Sequence, residues 1–281
     1  MILKLRDRQI DVTNRTAVMG ILNVSDDSPI AFSRVGVEQA RERAHELVAQ
    51  GAAIIDVGAH STATGARDLN ATEEIERVVP VIEALAQDGL ITSVDTWTPE
   101  VARAAAEAGV HLLNDVTGFV DDGMVAVARE FEIPGCIMHM RGDPKHHREV
   151  SQQYEDIEAE VRTDLVRRAQ ILKTQGVDVW LDPGFGFGRS AADNAALLRG
   201  VPALVEEGYP VLISASRKGF LAELMGESYG QQRDGLLEAT IAFNSLAAYW
   251  GAHVVRVHDV AEVSDAVRVA SAIRSGMAGV R

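Results

Sequence analysis

Leu181-Asp182-Pro183-Gly184-Phe185-Gly186-Phe187-Gly188-Arg189 is the stretch from which the rest of the chain is read. An apolar run, Val177 to Leu181, ends abruptly in Asp182, and Pro183 with Gly184 stops any strand. Gly184, Gly186 and Gly188 permit positive φ and let a ligand approach the backbone closely. Phe185 and Phe187, interleaved with them, offer flat apolar surface beside a carboxylate. That combination suits a planar heterocycle whose ring N–H and amino groups donate to Asp182. It suits equally a strand ending in an ordinary turn, with both rings in the core. The other strand ends decide between the two.

The same unit recurs along the chain: a short Val/Ile/Leu run, a polar or glycine-containing turn, then a helical stretch rich in Ala and Glu. Strands are expected at Ala17–Asn23, Ala53–Val57, Ile91–Val94, His111–Asn114, Gly135–His139, Val177–Leu181, Val211–Ser214 and Val254–Val257. Helices of apolar period near 3.6 follow, for example Val37–Gln50, Thr72–Gln87, Pro99–Ala108 and Gln153–Gln175. Thr98 reads as an N-cap with Pro99 at the first helical position. Ahead of the series, Ile2 to Val12 alternates around Asp7-Arg8 as a short β-hairpin. Such a series predicts an α/β fold, a (β/α)8 TIM barrel with a short N-terminal hairpin, as one domain over residues 1–281. A doubly wound open sheet is disfavoured, because no Gly-x-Gly-x-x-Gly follows the first strand.

In a barrel, chemistry gathers where the strands end. Those ends are Asn23, Asp56, Asp95, Asn114-Asp115, His139, Asp182, Ser214 to Lys218, and Arg256-Val257-His258-Asp259. Any one suits a turn or a cap, and Asp56 and Asp115 read that way. The whole set makes sense only if it converges on a polar ligand. Asp95, Asn114 and Asp182 offer acceptors to a heterocycle with several N–H donors. Arg217, Lys218, Arg256 and His258 come from the last two units, where barrels often build a phosphate site. A cationic pair opening a helix opposes the helix dipole, so Arg217-Lys218 points to an anion there.

Composition bounds the partners. A net charge of −14 disfavours nucleic acid, and an anionic substrate must be held by a local basic site against the overall field. No window approaches the ~18 unbroken apolar residues of a membrane helix. The opening residues lack a signal-peptide pattern, and the lone Cys136 reads as a buried, inert thiol, so a cytoplasmic protein is expected. His146-His147, beside Lys145 and Arg148, lacks the partners of a metal set and reads as solvated.

Taken together, the segments Met19 to Val24, Ile55 to Gly58, Ser93 to Thr96, Asn114 to Gly118, Met138 to Gly142, Asp182 to Gly188, Ser216 to Phe220 and Arg256 to Val260 resemble the dihydropteroate synthase family of pterin-binding barrels, in family order. That resemblance implies joining of 6-hydroxymethyl-7,8-dihydropterin pyrophosphate to 4-aminobenzoate, giving 7,8-dihydropteroate and pyrophosphate in folate biosynthesis. It implies that Asp95, Asn114, Asp182 and Lys218 hold the pterin, with Met138 and Phe187 near its ring. Asn23, Thr62, Arg256 and His258 would take the pyrophosphate, Asn23 also contacting Mg2+, and Ser216 would lie near the acceptor. Asp95, Asp182, Lys218 and Arg256 carry the catalytic roles in this scheme. A homodimer is implied as well.

Two loops depart from the family pattern. After Asn23-Val24 the family reads Thr-Pro-Asp-Ser-Phe-Ser-Asp-Gly-Gly, where this chain has Ser25-Asp26-Asp27-Ser28-Pro29-Ile30-Ala31-Phe32. The second loop, usually Gly-Glu-Ser-Thr-Arg-Pro-Gly, is Ala59-His60-Ser61-Thr62-Ala63-Thr64-Gly65. In the family these loops close over the site, so weak aminobenzoate capture and low sulfonamide sensitivity are expected. Arg34 and Arg67 are candidates to replace the missing guanidinium. A relative with a different acceptor, or one that binds pterin without turnover, stays open. A folate-dependent methyltransferase is disfavoured, because Ser216-Arg217-Lys218 and Arg256-Val257-His258 are kept although such an enzyme has no diphosphate to bind.

Overall fold

The computed structural model describes residues 1–24, 37–59, 69–144, 146–147, 149–227 and 236–277. Thr62, both altered loops with Arg34 and Arg67, and Lys145 and Arg148 lie outside the described residues.

Eight parallel strands form the sheet: β3 (Ala17–Asn23), β4 (Ala52–Gly58), β5 (Thr92–Asp95), β6 (Leu112–Asp115), β7 (Gly135–Met138), β8 (Val179–Asp182), β9 (Leu212–Ile213) and β10 (Val254–Val257). They run in spatial order β8-β7-β6-β5-β4-β3-β10-β9. A parallel bridge between Leu181 and Val211, with Leu181 N donating to Pro210 O at 2.8 Å, links the two edges and closes the barrel. The expected TIM barrel and its hairpin are therefore observed. The strand at the closure is shorter than the expected Val211–Ser214, because the ladder is paired only at Leu212 and Ile213 on the β10 side.

The strands carry Val, Ile and Leu on both faces because both faces are buried. Outward, Leu22, Ile55, Val57, Leu113 and Ile137 pack against the helices. Inward, Met19, Ile54, Leu112, Cys136, Trp180, Leu212 and Val254 form a second cluster with Leu3, Leu5, Ile10 and Val12 of the hairpin, β1 (Ile2–Leu5) and β2 (Arg8–Asp11). That hairpin plugs the N-terminal end of the barrel. Cys136 is fully buried there, as expected, and burial raises its thiol pKa well above the usual value.

Around the barrel run α1 (Val37–Ala49), α2 (Ala71–Gln87), α3 (Pro99–Glu107), α4 (Asp122–Glu130), α5 (Ile157–Thr174), α6 (Ala191–Arg199), α7 (Val201–Glu206), α8 (Phe220–Leu224), α9 (Leu237–Tyr249) and α10 (Val260–Arg274). Asn70 and Glu73 form a reciprocal capping box on α2, as Ser190 and Asp193 do on α6. Thr98 occupies the N-cap of α3 but makes no side-chain cap bond; the Thr96 hydroxyl accepts from Thr98 N instead, at 3.2 Å. Helix α5 begins at Ile157 rather than Gln153, because Asp156 caps it by accepting from Ala159 N at 3.1 Å. No helix among the described residues is long and apolar enough to cross a membrane.

Candidate active site at the C-terminal mouth

Side chains alternate along a strand, so residues two apart share a face. The inward residues of the plug are therefore followed by inward residues of the mouth: Ile54 by Asp56, Leu112 by Asn114, Cys136 by Met138, Trp180 by Asp182, and Val254 by Arg256. Cross-strand register then places Asp95 opposite Asn114 and Met138 opposite Asp182.

The Asp182 turn forms one wall. Asp182 Oδ1 accepts from Gly184 N at 2.7 Å, and Gly186 N donates to Asn194 Oδ1 at 2.8 Å. Gly184, at φ 74°, passes so close to the next strand end that a Cβ would lie 2.1 Å from His139 O. Phe185 turns into the core against Phe243, whereas Phe187 joins Val116 and Met138, with Trp97 and Met140 beside them. The core reading of the Gly-Phe-Gly-Phe-Gly stretch thus holds for Phe185, while Phe187 lies at the mouth with Val116 and Met138. Lys218 crosses this wall, its Nζ donating to Phe185 O at 2.6 Å and lying 4.6 Å from the centre of the Phe187 ring.

The opposite wall is charged. Arg256 donates from Nε to Asp56 Oδ2 at 2.5 Å and from a terminal nitrogen to Asp95 Oδ2 at 2.6 Å. Asn114 Nδ2 reaches Asp56 Oδ2 at 3.4 Å, while Asp56 Oδ1 is buried with no hydrogen-bond partner among the described residues. Burial raises Asp95 to about 7, with Arg256 pulling down and Asp56 pushing up. Asp182 is raised by burial too, opposed chiefly by Lys218. Lys218 is lowered to about 8 by burial, against the pull of Asp182. His258 is lowered to about 3 by burial, then by Arg256, Arg217 and Lys218, so its imidazole is neutral at pH 7. Asp95 and Lys218 therefore change charge easily near neutrality, as groups awaiting a ligand's polar atoms do.

Asp95, Asn114, Met138, Asp182, Phe187, Lys218 and Arg256 thus converge on one mouth. Asn23 closes β3 beside them: a Cβ on Gly58 would lie 3.2 Å from Asp95 Cβ and 3.8 Å from Asn23 Oδ1. Ser216 is turned to its neighbour, its hydroxyl accepting from His258 N at 3.2 Å. Arg217 does not join Lys218. Its backbone sits at φ 55°, its N–H donates to the Thr240 hydroxyl, and its guanidinium pairs with Asp259 at 2.8 and 2.6 Å. The two cations diverge, and the short helix α8 behind them offers little dipole to oppose.

The turn reading fails for Asp56 and holds for Asp115, and the solvated reading fails for His147. Asp56 is a partner of the site arginine rather than a turn residue, because β4 points it inward two residues above Ile54. Asp115 holds its own turn, accepting from Thr117 N at 2.7 Å and Phe119 N at 3.0 Å. His147 is buried, with Nδ1 3.0 Å from Pro144 O and its ring edge-on to Phe187 at 5.3 Å, whereas His146 is exposed beside Asp143. Adjacent positions in a polar segment carry no periodic signal that separates them. Arg189, at the end of the opening stretch, is buried against the turn, and only its place beside three glycines hinted at that.

A family model described as pterin binding enzyme matches residues 19–258. A dihydropteroate synthase of Streptococcus pyogenes serotype M18 is 40% identical over 270 residues, which is 92% of this chain and 96% of that protein. The structure of dihydropteroate synthase from Thermus thermophilus in complex with 4-aminobenzoate is 39% identical, with a TM-score of 0.84 over 97% of this chain and 100% of that one. The Yersinia pestis dihydropteroate synthase with a sulfonamide drug complex superposes with a TM-score of 0.89 at 35% identity, over 98% of this chain and 100% of that one.

Proposed function

We infer the reaction from kinship: the chain belongs to the dihydropteroate synthase family of pterin-binding enzymes. The reaction is condensation of 6-hydroxymethyl-7,8-dihydropterin pyrophosphate with 4-aminobenzoate, releasing pyrophosphate. The observation that carries it is the pairing of an acceptor wall, half-buried Asp95 with buried Asn114 and Asp182, with the apolar patch of Val116, Met138 and Phe187. A flat ring slides between Phe187 and the opposite wall and donates its N–H and amino hydrogens to the carboxylates. Lys218, already facing Phe185 O, donates to a ring acceptor.

In the displacement, the methylene C–O bond to diphosphate breaks and that electron pair leaves with pyrophosphate. The aminobenzoate nitrogen forms the new C–N bond and then gives up its proton. Asp95 and Asp182 stabilise cationic character on the pterin as the C–O bond lengthens. Arg256 and the neutral His258 face the departing oxygens, and Ser216 keeps His258 in place. No enzyme nucleophile takes part.

Among the described residues no cluster of three or more His, Cys, Asp or Glu is arranged to hold a metal by itself. Asn23, at the end of β3, would hold Mg2+ as one neutral oxygen donor. There Mg2+ would neutralise charge on the leaving group. A homodimer fits as well: Leu246, Tyr249, Val269, Ile273 and Met277 on and after the adjoining helices α9 and α10 are all 46–66% exposed, an apolar set matched by a second copy of itself. A cytoplasmic location accompanies this reading.

Steady-state pyrophosphate release, with and without 4-aminobenzoate, tests the function. Release that depends on aminobenzoate supports it; pterin binding with no release under either condition overturns it. The altered loops favour one second reading, transfer to a different acceptor, which the same assay detects when other arylamines outperform aminobenzoate.

A further inference from the structure

The carbonyls of the Asp182 turn face hydrogen-bond donors, and two of them share one residue. Arg189 sends one terminal nitrogen to Pro183 O and Gly184 O, both at 2.5 Å. Its other terminal nitrogen lies 2.5 Å from His139 Nδ1 and 3.2 Å from His139 O, and its Nε is 3.5 Å from the Tyr154 hydroxyl. Phe185 O is taken by Lys218 and Gly186 O by Gly188 N, at 2.6 and 3.2 Å. Arg189 is 6% exposed and forms no ion pair among the described residues. A guanidinium has no acceptor to offer, so His139 Nδ1 must be the unprotonated, accepting nitrogen. Burial and Arg189 itself both favour that state, lowering His139 to about 4.

A buried cation whose donors go to carbonyls, a hydroxyl and one imidazole carries a desolvation cost that these neutral acceptors only partly offset, and its hydrogen bonds fix the segment they reach. That segment bears Asp182 at its start and Phe187 near its end. We propose that Arg189 is a positioning residue, which sets the Asp182–Phe187 turn in its ligand-ready geometry from behind the site, without touching the ligand. Gly184 N, whose bond to Asp182 Oδ1 orients the carboxylate, belongs to the peptide after Pro183, and both flanking carbonyls are pinned by Arg189. Tyr154 and Gln152 back the clamp: the Tyr154 hydroxyl donates to Gln152 Oε1 at 3.2 Å, and Gln152 Nε2 donates to His147 O at 2.8 Å. The loop carrying His147, which edges Phe187, is thereby tied to the same guanidinium.

The inference rests on the pterin reading, and the experiment separates the two. Arg189→Met keeps the buried stem and drops the donors; Arg189→Lys restores donors that reach the two turn carbonyls. Pterin affinity is measured by calorimetry and KM values by pyrophosphate release, on protein whose folding is checked by melting. Arg189→Met should lose about ten- to hundredfold in pterin affinity, the scale of a charged hydrogen bond lost at Asp182, with the KM for aminobenzoate at saturating pterin unchanged. Arg189→Lys should recover to within about threefold of the native affinity. In Asp182→Asn, adding Arg189→Met should cost little more, because both act on one contact. If Arg189→Met does not fold, Arg189→Gln replaces it in the same comparison. Full pterin affinity in a folded variant without the guanidinium overturns the proposal, as does a Lys variant as weak as the Met one. Failure of the native protein to bind pterin overturns the functional reading instead.

Discussion

The two ends of the barrel share their strands and differ in what stands two residues along each. At the N-terminal end Ile54, Leu112, Cys136, Trp180 and Val254 meet the apolar face of the hairpin. At the C-terminal end Asp56, Asn114, Met138, Asp182 and Arg256 face one another across a polar mouth. The lower layer is held by apolar burial, which is indifferent to the identity of any ligand. The upper layer holds buried charges whose mutual attraction only partly offsets their lost hydration. Stability is thus concentrated below and given up above. Asp56 Oδ1, with no hydrogen-bond partner among the described residues, and Asp95 with its raised pKa mark where it is given up.

That division makes mutations at the two ends distinguishable. Trp180→Ala should destabilise the fold by about 3–5 kcal/mol, since a fully packed indole leaves a cavity over the plug. Denaturant melting reads the loss, and the pterin affinity of the remaining folded protein should be close to native. A tenfold fall in that affinity would show that the layers are not independent.

Arg256→Ala strips the shared cation from Asp56 and Asp95 and should cost about 3 kcal/mol or more in binding of the pterin diphosphate, on the scale of a broken buried pair. The bare pterin alcohol should suffer less, because it lacks the diphosphate charge that Arg256 meets. Equal loss for both ligands would mean that Arg256 serves the pterin or the fold rather than the leaving group. Asp95→Asn and Asp182→Asn should each lose about 1.5–3 kcal/mol of pterin affinity, with melting little changed. Calorimetry showing native affinity in both would falsify the assigned acceptor wall.

The pH dependence sharpens the same contrast. Asp95, raised to about 7, is an acid below that pH and a carboxylate above it, so pterin affinity should climb as pH rises through 7. Lys218, lowered to about 8, loses its charge above that pH, so affinity should fall again on the alkaline side. Asp95→Asn should remove the acid limb and keep the alkaline one. A profile flat from about one pH unit below the first value to one above the second would mean that neither group titrates against the ligand.

The smallest expected effect concerns the loop after β4. Ala63→Arg with Thr64→Pro restores the family residues, and should lower the KM for aminobenzoate several-fold and strengthen sulfonamide inhibition to match. The Pro contributes by narrowing the backbone conformations open to the chain at that position, worth about 0.4–1 kcal/mol. Tight sulfonamide inhibition of the native protein would mean that other residues, Arg34 or Arg67 among the candidates, already complete the pocket.

The barrel was legible because its signals are local. An apolar run buried on both faces, a turn and an amphipathic helix each announce themselves within one window, and their repetition implies closure. Strand ends were legible for the same reason: an Asp or Asn at the end of a Val/Ile/Leu run stands out wherever it points. What no window holds is direction. Asp56 and Asp115 look alike as strand-terminal carboxylates, yet the pleat aims Asp56 at Arg256, 200 residues away in sequence, and leaves Asp115 to its own turn. Arg217 and Lys218 are neighbours whose side chains part, because a left-handed backbone at Arg217 hands one to Asp259 and the other to the Asp182 turn. Arg189 and His147 acquire their places from carbonyls and rings supplied by other units. Local pattern sufficed for the architecture and for the residue types that line its mouth. The pairing of those charges, and so each one's protonation, arose only when the closed barrel brought distant strand ends within hydrogen-bonding distance, away from water.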